Sequence, residues 1–323
     1  MLRKAVPLFL LLFCSFAPFS YAKDPGIKRP IRILVPKSTS SVPFIILDQT
    51  DPIEGVDISV EFFINHPVAM SRLIKGEVDL LFTGTSSGWE NHLNGGPVVM
   101  VNTGVWGVSY LIGRDDTIRT FADLKHKRIA LPFPGSPLDF QTRYLLSASG
   151  LDPEKDLIIQ YAPFTQSIPL LLAAKIDATP LPEPLATNVV MNKNLVRVID
   201  YKKAWADAGA GIRGPFAEYS PQVSLFAVEN SDDTETDTLF LRVTHEWRTK
   251  SDWVSRHAAE SAARTSALLG FTEPLLETAI ANTLFMVPSY EQNRMLVEDY
   301  YNTVKRYLPG KRDMLGDSFF FTP

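Results

Sequence analysis

The 323-residue chain has a single cysteine, Cys14, and it lies inside an apolar N-terminal run. Beyond that run, disulfides, thiolate nucleophiles and cysteine metal sites are excluded. The five histidines, His66, His92, His126, His245 and His257, show no metal-ligand spacing, so no metal site is expected. Gly84-Thr-Ser-Ser-Gly88 lacks the lysine of a phosphate loop. A formal charge of -4, with no basic patch interleaved with aromatics, argues against a nucleic-acid footprint. These absences point away from an enzyme, and no cofactor is expected.

The N-terminal run itself has a clear reading. Arg3 and Lys4 precede apolar residues Ala5 to Phe19, and Ser20-Tyr-Ala22 follows before the first acid, Asp24. The core is too short for a spanning helix and ends at a small-x-small site, so residues 1–22 are expected to be a signal peptide cleaved after Ala22. A retained anchor is the alternative. Phe13 sits where a lipoprotein signal has a small residue, so lipidation at Cys14 is not expected. Losing Arg3 and Lys4 moves the formal charge from -4 to -6.

With 45% hydrophobic and 21% charged residues, the rest can bury a large core, and its length suits two lobes. Strands Ile31–Val35, Asp57–Phe63 and Val78–Phe82 alternate with short helices from Pro43 and Pro67, the latter stopped by Gly76. This spacing indicates βαβ units in a mainly parallel sheet. Val105–Ile112 reads as a strand into a second lobe. There, strand Arg128–Pro132 leads to a helix with Ser136, Pro137 and Asp139 at N-cap, N1 and N3, and with Gly150 as its stop. Gly209–Pro221 is a candidate return crossover, Val223–Val228 a strand rejoining the first lobe, and Thr234–Tyr307 several helices. The expected boundaries are 23–104 with 222–323 for lobe one and 105–221 for lobe two. Leu73–Asp79 and Leu172–Asp177 echo each other at two helix-to-strand junctions, one per lobe.

In open α/β sheets, ligands sit beyond the carboxyl ends of the strands. Three hydroxyl-rich loops fall there: Ser38, Thr39, Ser40 and Ser41 after the first strand; Thr83, Thr85, Ser86 and Ser87 after Val78–Phe82; and Gly135 with Ser136. A helix start at Ser136 offers free N–H groups and a positive dipole end, which suits an acidic oxygen without excluding neutral ligands. Each loop alone is equally consistent with an ordinary cap or turn. Glu183, fixed between Pro182 and Pro184, either accepts from a ligand amine or pairs with a neighbouring cation. Trp89, Trp106 and Tyr110 are candidates for the cleft wall or the core.

Together, Gly76-Glu-Val-Asp79, Gly135-Ser136, Gly150-Leu-Asp-Pro153, Lys175-Ile-Asp-Ala178 and Glu183-Pro-Leu-Ala186 resemble the solute-binding proteins of ABC importers for sulfonates, nitrate, taurine and thiamine-pyrimidine precursors. The resemblance covers about Ile31 to Val228. It implies a type II periplasmic binding fold: two α/β lobes joined by two crossovers, closing on a ligand in the cleft. It also implies a non-enzymatic, monomeric, periplasmic protein that captures a small organic solute, anionic or neutral, and delivers it to an inner-membrane permease. The hydroxyl loops, Gly135 and Ser136 are the implied ligand contacts, and Glu183 corresponds to the acidic residue that often borders the cleft. Two other readings stay open: an exported sensor module for a membrane receptor, and an enzyme of thiamine-pyrimidine or menaquinone synthesis on the same fold.

Overall fold

The computed structural model describes residues 30–50, 53–213, 218–229, 234–308 and 313–322. The signal peptide expected over residues 1–22, with its cleavage site, lies outside them. None of the described helices is long and apolar enough to cross a membrane.

Two mixed sheets organise the chain. The first contains β1 (Pro30–Pro36), β2 (Asp57–Phe63), β3 (Leu80–Gly84), β4 (Val98–Gly107), β10 (Val223–Val228) and β11 (Leu284–Phe285), in the order β11-β4-β10-β3-β1-β2. The second contains β5 (Ser109–Gly113), β6 (Arg128–Leu131), β7 (Ile158–Tyr161), β8 (Ala178–Pro182) and β9 (Val196–Asp200), in the order β7-β6-β8-β5-β9. In each sheet a parallel trio is extended by antiparallel strands: β2-β1-β3 by β10 and β4, and β7-β6-β8 by β5 and β9. The sheets are therefore mixed, where the sequence suggests mainly parallel ones, because the crossing strands enter each from the opposite direction.

The chain leaves the first sheet after Gly107 and enters the second at Ser109, with Val108 between. The expected single strand Val105–Ile112 is thus the end of β4 and the start of β5, and the change of sheet comes three residues after 105. On the return, Ser220 and Gln222 donate backbone N–H groups to Trp106 (3.3 Å) and Val105 (2.8 Å), so the two crossovers run side by side. Residues 209–213 of the expected crossover belong instead to a helix, α7 (Tyr201–Arg213).

Helices on both faces supply the core. Outside the first sheet, α1 (Val42–Thr50) packs against α8 (Thr234–Arg256), where Phe44 stacks on Trp247 at 4.8 Å and both are buried. Next come α2 (His66–Ile74) and α3 (Thr85–Leu93) in lobe one, and α4 (Pro137–Ala148), α5 (Phe164–Leu172) and α6 (Leu185–Lys193) in lobe two. Helices α9 (Ala258–Leu269), α10 (Glu273–Ala281) and α11 (Tyr290–Val304) complete the C-terminal part. A buried aromatic seam joins the lobes away from the strand ends: Trp89 of α3 meets Phe140 of α4 at 5.5 Å and Tyr301 of α11 at 5.3 Å, while Trp205 of α7 meets Tyr300 at 4.8 Å. Each large apolar side chain buried here contributes about 1.5–3 kcal/mol relative to exposure. Trp89 and Trp106 are therefore core residues, the latter also donating its indole N–H to the Met286 carbonyl at 2.8 Å.

Candidate functional site between the lobes

The carboxyl ends of β1 and β3 in the first sheet and of β6 and β8 in the second open onto one cleft of about 320 Å³. Lobe one contributes Lys37, Ser38, Ser40, His66, Gly84 and Ser87, with Phe271 from the turn after α9. Lobe two contributes Pro132, Phe133, Ser136, Pro137, Leu138, Phe164 and the strip Pro182–Leu185. Gln222 and Val108, on the two crossovers, form its back. Gly84 closely faces the other lobe: a Cβ there would lie 3.8 Å from Cγ of Pro137.

Local sequence explains each edge. Ser136 caps α4 as its spacing predicts, its hydroxyl accepting from the Asp139 N–H at 3.2 Å while Pro137 starts the helix. The serine proton stays available for donation to a ligand. The Gly135 N–H, expected to face a ligand, is taken by Asp139 Oδ2 at 2.8 Å, and Gly135 is not among the cleft residues. Asp139 is held in turn by Arg143 Nε at 2.7 Å and the Tyr161 hydroxyl at 3.1 Å.

In lobe one, Ser38–Ser41 is a 3-10 turn over Thr39–Ser41 running into α1, and Thr83–Gly88 is the end of β3 and the start of α3, where the sequence suggests two loops. Ser38 and Ser40 share a hydrogen bond between hydroxyls at 2.6 Å and line the cleft, as does Ser87. The remaining hydroxyls turn elsewhere. Thr39 is buried with no side-chain partner among the described residues, and Ser41 bonds the Pro36 carbonyl. Thr85 pairs with Ser224 at 2.8 Å, and Ser86 is buried in α3. Thr83 bonds His66 Nδ1 at 2.7 Å, so it orients a cleft residue without lining the cleft itself.

Glu183 borders the cleft, and its carboxylate is engaged by neighbouring residues. Its side chain is fully buried; Oε1 accepts from Arg197 Nη2 at 2.8 Å and Asn282 Nδ2 at 3.1 Å, and Oε2 from the Thr187 N–H at 3.0 Å. A carboxylate so enclosed must be neutralised, and Arg197 does this. Glu183 thereby ties β8 to the end of α10, and its own N–H bonds the Val108 carbonyl at 2.8 Å. Tyr110, the other aromatic candidate, belongs to this cluster and not to the cleft: Arg197 stands 4.9 Å over its ring and its hydroxyl donates to the Asn282 carbonyl. Burial, then Asp200 and Glu183, push its pKa up to about 12.

Sequence reasoning missed Lys37, His66 and Gln222. Lys37 is an exposed cation at the end of β1, and among the described residues it has no carboxylate partner. A lone lysine between a strand and a serine run was its available signal. His66 is open to solvent through the cleft, yet the protein around it thins the water near the ring, and this desolvation lowers its pKa. Gln222 donates to Gln141 Oε1 at 3.1 Å and Gln141 donates to Ser220 at 3.1 Å, which joins α4 to the return crossover.

Residues 28–210 match the model of the NMT1-like family. The chain belongs to that family. Over 94 residues it is 27% identical to the nitrate/nitrite binding protein NrtA of Nostoc sp., a match spanning 29% of this chain and only 21% of that protein. Among solved structures, the alkanesulfonate-binding protein SsuA from Xanthomonas axonopodis pv. citri, bound to MOPS, superimposes with a TM-score of 0.65 at 19% identity, covering 90% of this chain and 97% of that one. The periplasmic nitrate-binding protein NrtA from Synechocystis PCC 6803 gives 0.66 at 14% identity, covering 90% and 85%. This NMT1-like chain thus has the two-lobed fold of periplasmic binding proteins, and the relatives named are binding proteins, not enzymes.

Proposed function

We propose that the chain is the exported, monomeric solute-binding component of an ABC importer, which captures a small organic solute in its cleft and presents it to an inner-membrane permease. The observation that carries this reading is a cleft walled by both lobes and backed by both crossovers, the geometry in which a ligand touching each lobe favours the closed state. The family membership and the binding proteins of the same fold support it. The chain is taken to act in the periplasm after cleavage behind Ala22. Residues 23–104 with 222–323 move as one body and 105–221 as the other, with pivots at Val108 and Ser220. Ser38, Ser40, Ser87 and Ser136 are the proposed hydroxyl contacts, with Lys37 and His66 beside them.

Thermal denaturation of the chain starting at Lys23, against sulfonates, nitrate, pyrimidines and amino acids, tests the reading. Cleft ligands raise the midpoint by mass action, and one at a hundred times its Kd adds about 2.7 kcal/mol. Binding that survives Ser87→Trp, a substitution that fills the cleft, would remove this function from the cleft.

A further inference from the structure

We propose that the cleft is polarised, with Lys37 of lobe one receiving the acidic head of an organic monoanion and lobe two receiving its apolar body. The proposal rests on the cleft being the ligand site. Two groups bring a formal charge to its wall besides the desolvated His66: Lys37 and Glu183. Glu183 is fully buried and matched by Arg197, so it presents no charge to the opening. Lys37 is exposed there without a carboxylate partner among the described residues, and it supplies the net charge a ligand meets.

The helix starts reinforce this asymmetry. In lobe two, the start of α4 already holds an anion: Asp139 takes the Gly135 N–H, and Ser136 caps the Asp139 N–H. In lobe one, α3 begins at Thr85 with no acid in its first turn and no side-chain cap, and the 3-10 turn at Thr39 and α1 also lack acids there. Their positive ends are therefore uncompensated on the side where Lys37 stands. Opposite them, Phe133, Leu138, Phe164 and Leu185 form an apolar wall, with Phe133 51% exposed. The volume falls at the low end of the range of about 300–1,000 Å³ usual for organic ligands. An inorganic oxyanion such as nitrate would leave most of it unfilled and would not cover the apolar wall.

Lys37 has one competing duty. Its ammonium lies 3.9 Å from where a Cβ on Gly270 would stand, beside the end of α9, where Gly270 and Phe271 both donate to the Ser266 carbonyl. The experiment separates the two roles. The chain from Lys23 and its Lys37→Gln variant are titrated calorimetrically with 1-hexanesulfonate, hexanoate, 1-hexanol and nitrate, and their urea midpoints are measured without ligand. The polarised cleft predicts that the two organic anions bind at least about tenfold more tightly than hexanol or nitrate, the scale of one charge-assisted hydrogen bond. It also predicts that Lys37→Gln removes that advantage and leaves the midpoint close to that of the parent.

A lower midpoint with unchanged anion affinity assigns Lys37 to the end of α9 and overturns the proposal. Hexanol or nitrate binding as well as hexanesulfonate, or none of the four binding, overturns it too. In each of these cases the cleft reading still stands if some other solute of the wider panel binds and Ser87→Trp abolishes that binding. It falls separately if Ser87→Trp leaves binding intact.

Discussion

Arg128 grips Asp177 twice over: its backbone N–H donates to Oδ2 at 2.8 Å and its guanidinium to Oδ1 at 3.3 Å, while the Asp177 N–H returns to the Arg128 carbonyl at 2.7 Å. Arg32 and Asp79 repeat the arrangement in lobe one at 2.9, 3.2 and 3.0 Å. Each arginine also reaches the carbonyl of the turn residue three positions before the aspartate, Ala174 or Gly76. The echo between Leu73–Asp79 and Leu172–Asp177 is therefore one physical device used twice, fastening the first strand of each parallel trio, β1 or β6, to the turn that precedes its third, β3 or β8.

The first prediction concerns acid. Partial burial disfavours the Asp177 carboxylate, but hydrogen bonds from the Arg128 backbone and guanidinium outweigh this and hold its pKa below the ordinary value. A pKa lowered on folding gives stability that is fully present above the unfolded value of about 4 and lost as pH falls through the folded one. Asp177→Asn should cost about 1–2 kcal/mol at pH 7, allowing for partial exposure of the pair. Urea midpoints at pH 7 and pH 3 should show the gap from the parent closing in acid; a constant gap contradicts the account.

Ala174 stands at φ 56°, where its counterpart in lobe one is Gly76 at φ 69°. Left-handed backbone costs a residue with a Cβ about 1–2 kcal/mol, and glycine returns about 0.5–1 kcal/mol of that through its freer unfolded state. Ala174→Gly should stabilise the protein by roughly 0.5–1 kcal/mol in urea unfolding. No gain would mean that this turn does not impose the strain.

Gly88 lets α3 lie against β10, since a Cβ there would fall 1.9 Å from the Phe226 ring. Phe226 is fully buried. Gly88→Ala should destabilise by about 2–3 kcal/mol through overpacking, and it should also weaken ligand binding because it displaces Ser87. An unchanged melting temperature would contradict this packing.

His66 gives a second pH signature, within the cleft. Desolvation lowers its folded pKa from about 6.5, so the stability it contributes is present above that pH and declines as pH falls toward the folded value. Between pH 7 and pH 5 the parent should lose more stability than His66→Gln, read from urea midpoints. Parallel losses would contradict the desolvated site.

The parts of this fold legible in sequence are those fixed by local chemistry. Ser136, Pro137 and Gly150 mark α4 because a cap, a fixed φ and a left-handed stop are properties of single residues. Tertiary contacts decided the rest. Thr85–Gly88 reads as a loop because its residues are poor helix formers, yet buried Trp89 and the close approach of Phe226 hold it helical. Gly104 lies within β4 because it admits the Trp247 ring, which would lie 2.1 Å from a Cβ. Glu183 reads as a cleft acid because its partners, Arg197 and Asn282, lie 14 and 99 residues away.

The central claim is that a ligand is held between two lobes that must part to admit it. The chain from Lys23 contains no cysteine, so Gly84→Cys with Pro137→Cys introduces one thiol pair across the cleft and no other thiol to cross-link. The measurement is the association rate of a cleft ligand with the oxidised and reduced forms of this double variant. The account predicts that the cross-link slows association at least about a hundredfold by withdrawing the open state, and that reduction restores it. Equal rates in both forms would contradict it.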